Sequence, residues 1–292
     1  MSAPRTARII KPSRLSPPSS SKTIFKLPET KFNFWRNDTR KLTLTHHHSN
    51  HLVKTAESPP VMTQFDSSSV DPTYCEIIVV RHGETAWNVD GKIQGHLDVE
   101  LNEVGREQAV SVANRLSKEY GISAVYSSDL KRALETAKTI ANACGGLEVI
   151  EDPDLRERHL GDLQGLVFRE AAERNPKAYK ALFSSQKTDQ DIPGGGESLD
   201  RLFDRCTSAL ERIGRKHKGE HIVVVTHGGV IRSLYQWACP NNRRPGKIMN
   251  TSLNTFHLSD RDEWTVNTWG DVGHLSQTGF LQSGFGGDGN SG

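Results

Sequence analysis

Four cysteines, Cys75, Cys144, Cys206 and Cys239, are scattered through the 292 residues, and no two of them form a C-x-x-C pair. Neither a metal knuckle nor a disulfide framework is expected from that spacing, and the thiols read as core residues in a reducing compartment. The chain also lacks any apolar run near the roughly 18 residues that cross a bilayer, so no membrane span is expected. No internal repeat is visible. No acidic residue precedes Glu29, and that absence marks a boundary. Residues 1–72 hold 11 Lys and Arg against 5 Asp and Glu, which leaves 26 basic and 30 acidic residues beyond them under an overall net charge of +2. A mildly acidic body argues against a nucleic-acid surface.

Residues 1–72 are rich in Ser, Thr, Pro and basic residues and show no sustained periodicity. Such leaders resemble organelle transit peptides, giving a plastid or another organelle as the location if residues 1–61 are used. An ordinary disordered tail is the alternative, and initiation at Met62 would give a cytoplasmic protein without the leader. His46, His47, His48 and His51 cluster there, but a metal site needs a fold to fix its ligands, so no metal function is assigned to them. At the other end, residues 276–292 form a Gly-rich tail read as flexible. A single domain over residues 73–275 is expected between the two.

Within that body, strand and helix patterns alternate. Ile77 to Val80 reads as a buried strand, and Glu107 to Leu116 as an amphipathic helix. Ile122 to Tyr126 is a strand, Asp129 to Ala143 a helix with Ser128 placed to cap it, and Leu147 to Ile150 a short strand. Ser198 to Ile213 carries Leu199, Leu202, Phe203, Cys206, Leu210 and Ile213 on one stripe. Ile222 to Val225 is a second buried strand, followed by a helix beginning near Val230. Two late strands, Leu253 to Leu258 and Glu263 to Thr268, complete the sheet. This alternation predicts an α/β fold, a three-layer α/β/α arrangement with a mostly parallel central sheet.

The two buried strands carry the chemistry. EIIVVRHG delivers Arg81 and His82 to the end of one strand, and HIVVVTHGG delivers Thr226 and His227 to the end of another. Open α/β sheets bind ligands at the carboxyl ends of their parallel strands, so the two histidines are expected in one site. Arg81, Asn88 and Arg132 belong beside them, because guanidinium groups hold phosphate oxygens bidentately and a helix N-terminus adds oriented N–H groups. Gly83 and Gly228 are expected to let the backbone approach an anion. Neighbouring cations disfavour a protonated imidazole, so His82 should be neutral near pH 7 and able to attack phosphorus. That chemistry requires no metal or other cofactor. Glu157, in LRERHLGDLQG, is the candidate proton donor to a leaving alkoxide; the competing reading is a surface ion pair with Arg156 or Arg158.

Taken in order, RHGETAWN, SSDLKRALETA, LRERHLGDLQG, PGGGES and VVVTHGGVIR resemble the histidine phosphatase (phosphoglycerate mutase-like) superfamily over about residues 75–270. An ordered set of this kind is specific where RHG alone would be weak. The resemblance implies that His82 is the phosphorylated nucleophile and Glu157 the proton donor and acceptor. It places Arg81, Asn88, Arg132 and His227 in the phosphate pocket, with Gln94, Gly95, Arg158 and Gly228 among the phosphate- or substrate-binding positions.

The family divides into mutases, which return the phosphoryl group to a bound phosphoglycerate, and phosphatases, which admit water. LRERHLGDLQGL, including Arg158 and His159, is close to the mutase form. Phe168 stands where mutases carry a lysine, however, and the mutases' later paired arginines and Pro-rich insert have no match between Val167 and Gly196. PGGGES and THGGVIR are phosphatase-like forms. The expectation is a metal-independent phosphatase acting on a small phosphorylated metabolite, with phosphoserine or another phosphorylated carboxylic acid favoured because Arg158 and His159 could meet a carboxylate. Phe168 to Ser185 is expected to be a helical segment over the pocket, with Phe168, Tyr179 and Phe183 either shaping it or simply packing. A cofactor-dependent phosphoglycerate mutase is the alternative enzyme, a catalytically dead phosphate-binding or interaction protein the alternative class, and a homodimer a compatible assembly.

Overall fold

The computed structural model describes residues 74–184, 187–241, 245–259 and 261–276. The expected leader with its histidine cluster, and the Gly-rich tail beyond Ser276, lie outside the described residues.

The described chain runs β1 (Tyr74–Arg81), α1 (Ala86–Val89), α2 (Glu103–Glu119), β2 (Ile122–Ser127), α3 (Lys131–Ala143), β3 (Val149–Glu151), α4 (Phe168–Arg174), α5 (Pro176–Leu182), α6 (Leu199–Lys216), β4 (His221–Thr226), α7 (Gly228–Ala238), β5 (Leu253–Ser259), β6 (Trp264–Asp271) and α8 (Gly273–Ser276). The strands form one sheet in the order β3-β2-β4-β1-β5-β6. β1, β2, β3 and β4 pair in parallel, while β5 and β6 add an antiparallel edge. The expected mostly parallel sheet is therefore present.

Its central strands are β-branched runs because both faces are covered. Ile77 and Val79 of β1 join Ile222 and Val224 of β4 in a core shared with α6 and α7. The alternating Ile78, Val80, Val223 and Val225 pack against α2 and α3 on the other face. That period of two, buried on both sides, gives the three layers. A smaller cluster of Ile93, Leu160, Leu163, Ala171, Ala178 and Ile192 lies under α4 and α5. Among the described residues no helix is long and apolar enough to cross a membrane.

Three local expectations change. The helix after Ser128 begins at Lys131 with the apolar Leu130 in the cap position; Asp98 Oδ1 accepts from the Lys131 N–H at 2.7 Å, while the Ser128 hydroxyl meets His227. α7 begins at Gly228 rather than near Val230, directly after His227. Residues 168–182 form two short helices rather than one, with Pro176 at the start of the second and the Asn175 side chain accepting from Ala178 N–H at 3.1 Å. Proline cannot donate within a helix and so resets it here.

Candidate active site

β1 and β4 are neighbours in register, with Arg81 opposite Thr226, so the residues that follow them emerge side by side. The His82 and His227 rings lie 5.2 Å apart between centroids. Both are almost wholly buried, as are Arg81 and Arg132. The parallel pairing of two similar sequence runs thus brings together the histidines that the sequence pointed to.

His82 Nδ1 lies 2.7 Å from the Gly83 carbonyl. A carbonyl can only accept, so Nδ1 carries the ring proton and Nε2 holds the lone pair. Burial, then the Arg132 and Arg81 charges, hold His82 well below the usual histidine range, which keeps that lone pair unprotonated at neutral pH. His227 is likewise held well below that range, first by burial and then by Arg132 and His82. Its Nε2 lies 2.9 Å from Ser128 Oγ, which also accepts from Leu130 N–H at 3.3 Å. When the Ser128 hydroxyl donates to Nε2, the imidazole proton sits on His227 Nδ1. Within the described residues, His227 Nδ1, Arg132 Nε and Gln94 Oε1 are buried and have no hydrogen-bond partner. Buried polar groups are normally satisfied, and the two nitrogens are donors suited to an anion beside His82.

The other expected positions fall around this centre. Arg81 donates from Nη1 to the Ile248 carbonyl at 2.6 Å. Arg132 donates to the carbonyls of Gly95 (2.8 Å) and Leu97 (3.0 Å), so Gly95 contributes by aiming Arg132. Burial pulls Arg132 down to about 10, still well above neutrality. Asn88 Oδ1 accepts from Thr85 N–H and Oγ1, both at 3.1 Å, and from Asn250 Nδ2. The Asn88 NH2 is therefore the end left to donate. Gly228 opens α7. Gly83 is also required for packing, since a β-carbon there would lie 2.4 Å from the Gly105 carbonyl oxygen of α2.

Glu157 is buried, and the surface ion-pair reading fails. Arg156 instead forks onto Asp129, while the Glu157 carboxylate accepts from Arg158 N–H at 2.8 Å and Gly229 N–H at 3.0 Å. Arg158, also buried, donates from Nε to the Glu197 carbonyl and is drawn down to about 10 by burial. His159 Nδ1 accepts from Gly161 N–H, and the ring meets His96 edge-on at 4.8 Å. Phe168, Tyr179 and Phe183 pack on one another.

Sequence reasoning missed several residues. Ser128 looked like an ordinary helix cap. His96 donates from Nε2 to the Glu157 carbonyl at 2.6 Å, and Gln164 Oε1 accepts from His96 N–H at 2.7 Å. Asn250 donates to the His82 carbonyl at 2.9 Å. Arg205 and Glu197 pair beside Glu157; the one available signal for Glu197 was its place in the GGGES segment.

The carboxyl ends of two central parallel strands, carrying two neutral imidazoles among buried guanidiniums, define a protein built to handle a phosphoryl group. Residues 77–272 match the family model described as histidine phosphatase superfamily (branch 1), and the chain belongs to that family. It is 69% identical over 230 residues to phosphoglycerate mutase-like protein 4 of Arabidopsis thaliana, covering 79% of this chain and 99% of the relative. It is 56% identical over 219 residues to a metal-independent phosphoserine phosphatase of the same plant, covering 75% of this chain and 91% of that one. Among solved structures, phosphoserine phosphatase from Entamoeba histolytica in complex with 3-phosphoglyceric acid aligns with a TM-score of 0.59 at 28% identity, over 69% of this chain and 99% of that one.

Proposed function

We propose that the protein is a metal-independent phosphatase of a small phosphorylated carboxylic acid, phosphoserine first among them, working through a phosphohistidine at His82. The observation that carries this reading is the neutral, buried His82, its proton tied to the Gly83 carbonyl and its Nε2 lone pair beside the orphan donors of Arg132 and His227. The lone pair attacks phosphorus, and the P–O bond to the leaving group breaks. The leaving alkoxide takes the proton of the Glu157 carboxyl. Water then attacks the phosphohistidine and gives its proton to Glu157, phosphate leaves, and His82 regains its lone pair. Arg81, Arg132, Asn88 and His227 stabilise charge on the phosphoryl oxygens, and Arg158 with His159 is assigned to the substrate carboxylate in this reading. The similarity to the Arabidopsis phosphoserine phosphatase supports this substrate class.

Phosphate release from phosphoserine should survive excess chelator and vanish in His82→Ala. With 3-phosphoglycerate, phosphate release should exceed formation of the 2-isomer. Faster isomer formation would instead establish a mutase, and chelator-sensitive turnover would overturn the mechanism.

The same proposal takes residues 73–275 as the catalytic domain and residues 1–61 as an organellar address, to be checked by sequencing the mature N-terminus. A homodimer is its assembly, to be checked by sedimentation.

A further inference from the structure

Glu157 lies between two single 3-10 turns, Pro153–Leu155 and Gly161–Leu163, and the carbonyls of Asp154, Arg156 and Glu157 take their side-chain partners from outside the segment, the last of them from His96 as well. Arg205, on the second turn of α6, supplies one to each. Its Nη1 donates to the Asp154 and Arg156 carbonyls, each at 2.7 Å, and its Nη2 to the Glu157 carbonyl at 2.8 Å. Nε and the remaining Nη2 proton fork onto Glu197 Oε1 (2.7 Å) and Oε2 (2.9 Å). All five guanidinium N–H groups are thus engaged. Glu197 extends the clamp, donating from its N–H to the His159 carbonyl at 2.7 Å and accepting at its own carbonyl from Arg158 Nε at 2.9 Å. Arg205 and Glu197 are both largely buried, with 18% and 9% of their side-chain surface exposed.

We propose that Arg205, held by Glu197, is a positioning residue for proton transfer, fixing the Glu157 carboxyl against the departing oxygen. This rests on the reading of Glu157 as proton donor. Small misplacements of a proton donor slow the step it serves, and general acid catalysis is worth about 10²–10⁴-fold. A guanidinium satisfying three carbonyls and a carboxylate at once cannot be replaced by an ammonium, whose three donors have no planar fork.

The test compares two substrates. 4-Nitrophenyl phosphate releases a stable phenolate and needs little proton assistance, whereas phosphoserine releases an alkoxide that does. Rapid-quench phosphorylation of His82 should fall about 10–100-fold with phosphoserine in Arg205→Lys, and change less than about threefold with 4-nitrophenyl phosphate. Glu197→Gln, which breaks the fork while leaving Arg205 in place, should show the same selectivity and keeps the question answerable if Arg205→Lys does not fold. Equal losses on both substrates, or no loss on phosphoserine, would overturn the proposal. Glu157→Gln is measured alongside. If it is selective and the other two are not, the positioning role alone fails; if it is not selective, the proton-donor reading fails with it.

Discussion

The N–H of Gly229 donates to Glu157 Oε2 at 3.0 Å, and a β-carbon at residue 229 would lie 2.3 Å from Glu157 Oε1. The absence of a side chain in the first turn of α7 is therefore what admits the carboxylate. Gly229→Ala should displace Glu157 while leaving the helix intact, since alanine favours helix over glycine by up to about 1 kcal/mol. Turnover of phosphoserine should drop at least about tenfold in a protein whose thermal midpoint is not lowered. Calorimetry and steady-state kinetics on one preparation check this, and unchanged turnover would refute it.

Ser128 Oγ lies 2.9 Å from His227 Nε2, and a hydroxyl donating there holds the imidazole proton on Nδ1. Ser128→Ala removes that partner and leaves the imidazole free to carry its proton on the wrong nitrogen. The loss of one charge-stabilising donor from an active site is worth about 10²–10³-fold, and a mixture of tautomers should give part of it, about tenfold in kcat with KM little changed. Ser128→Thr, which retains the hydroxyl, should recover most of the activity.

Stability should respond to acid in two windows. His82 and His227 lie well below 6.5 in the fold, so below pH 6.5 the unfolded chain binds protons that the folded chain does not. Stability then falls as pH falls, by up to about 1.4 kcal/mol per pH unit for each histidine until its folded pKa is reached. His82→Gln should flatten that slope by about one proton in denaturant titrations between pH 6.5 and 5. The second window belongs to Glu76. Burial works to raise its pKa, but hydrogen bonds from His221 (2.8 Å) and His257 (2.7 Å) outweigh this and bring it down to about 2. Its contribution is present above 4.5 and is lost as pH falls from there toward 2; Glu76→Gln should remove that loss.

Phe168 stands 6.2 Å from Tyr179 and 6.0 Å from Phe183, centroid to centroid, over the small core of α4 and α5. Packing accounts for these contacts. Phe168→Leu should cost about 1–3 kcal/mol of stability and leave kcat/KM for phosphoserine within a few-fold. A larger kinetic than thermodynamic effect would assign the ring to the substrate pocket.

The layers and the paired histidines were legible because their causes are periodic. β1 and β4 are buried on both faces, so they appear as unbroken β-branched runs, and whatever follows them must emerge at one sheet edge. The support around Glu157 was not legible for the opposite reason. Arg205 sits on α6, whose apolar stripe explains the helix and says nothing about its polar face, and its carbonyl partners belong to a segment without period. Ser128 was misread because a serine before a helix satisfies two different geometries. Its contact with a residue 99 positions away leaves no mark on local spacing.

Under the proposed mechanism, the hydrogen bond from His82 Nδ1 to the Gly83 carbonyl also decides which chemical isomer of phosphohistidine forms. With Nδ1 committed to a carbonyl from its own next residue, phosphorylation is confined to Nε2, and the covalent species is 3-phosphohistidine rather than its 1-isomer. An isomer-specific antibody should recognise only the former on the trapped protein. The regiochemistry of the adduct is thus expected to follow from the turn of the main chain at the end of β1, before any substrate arrives.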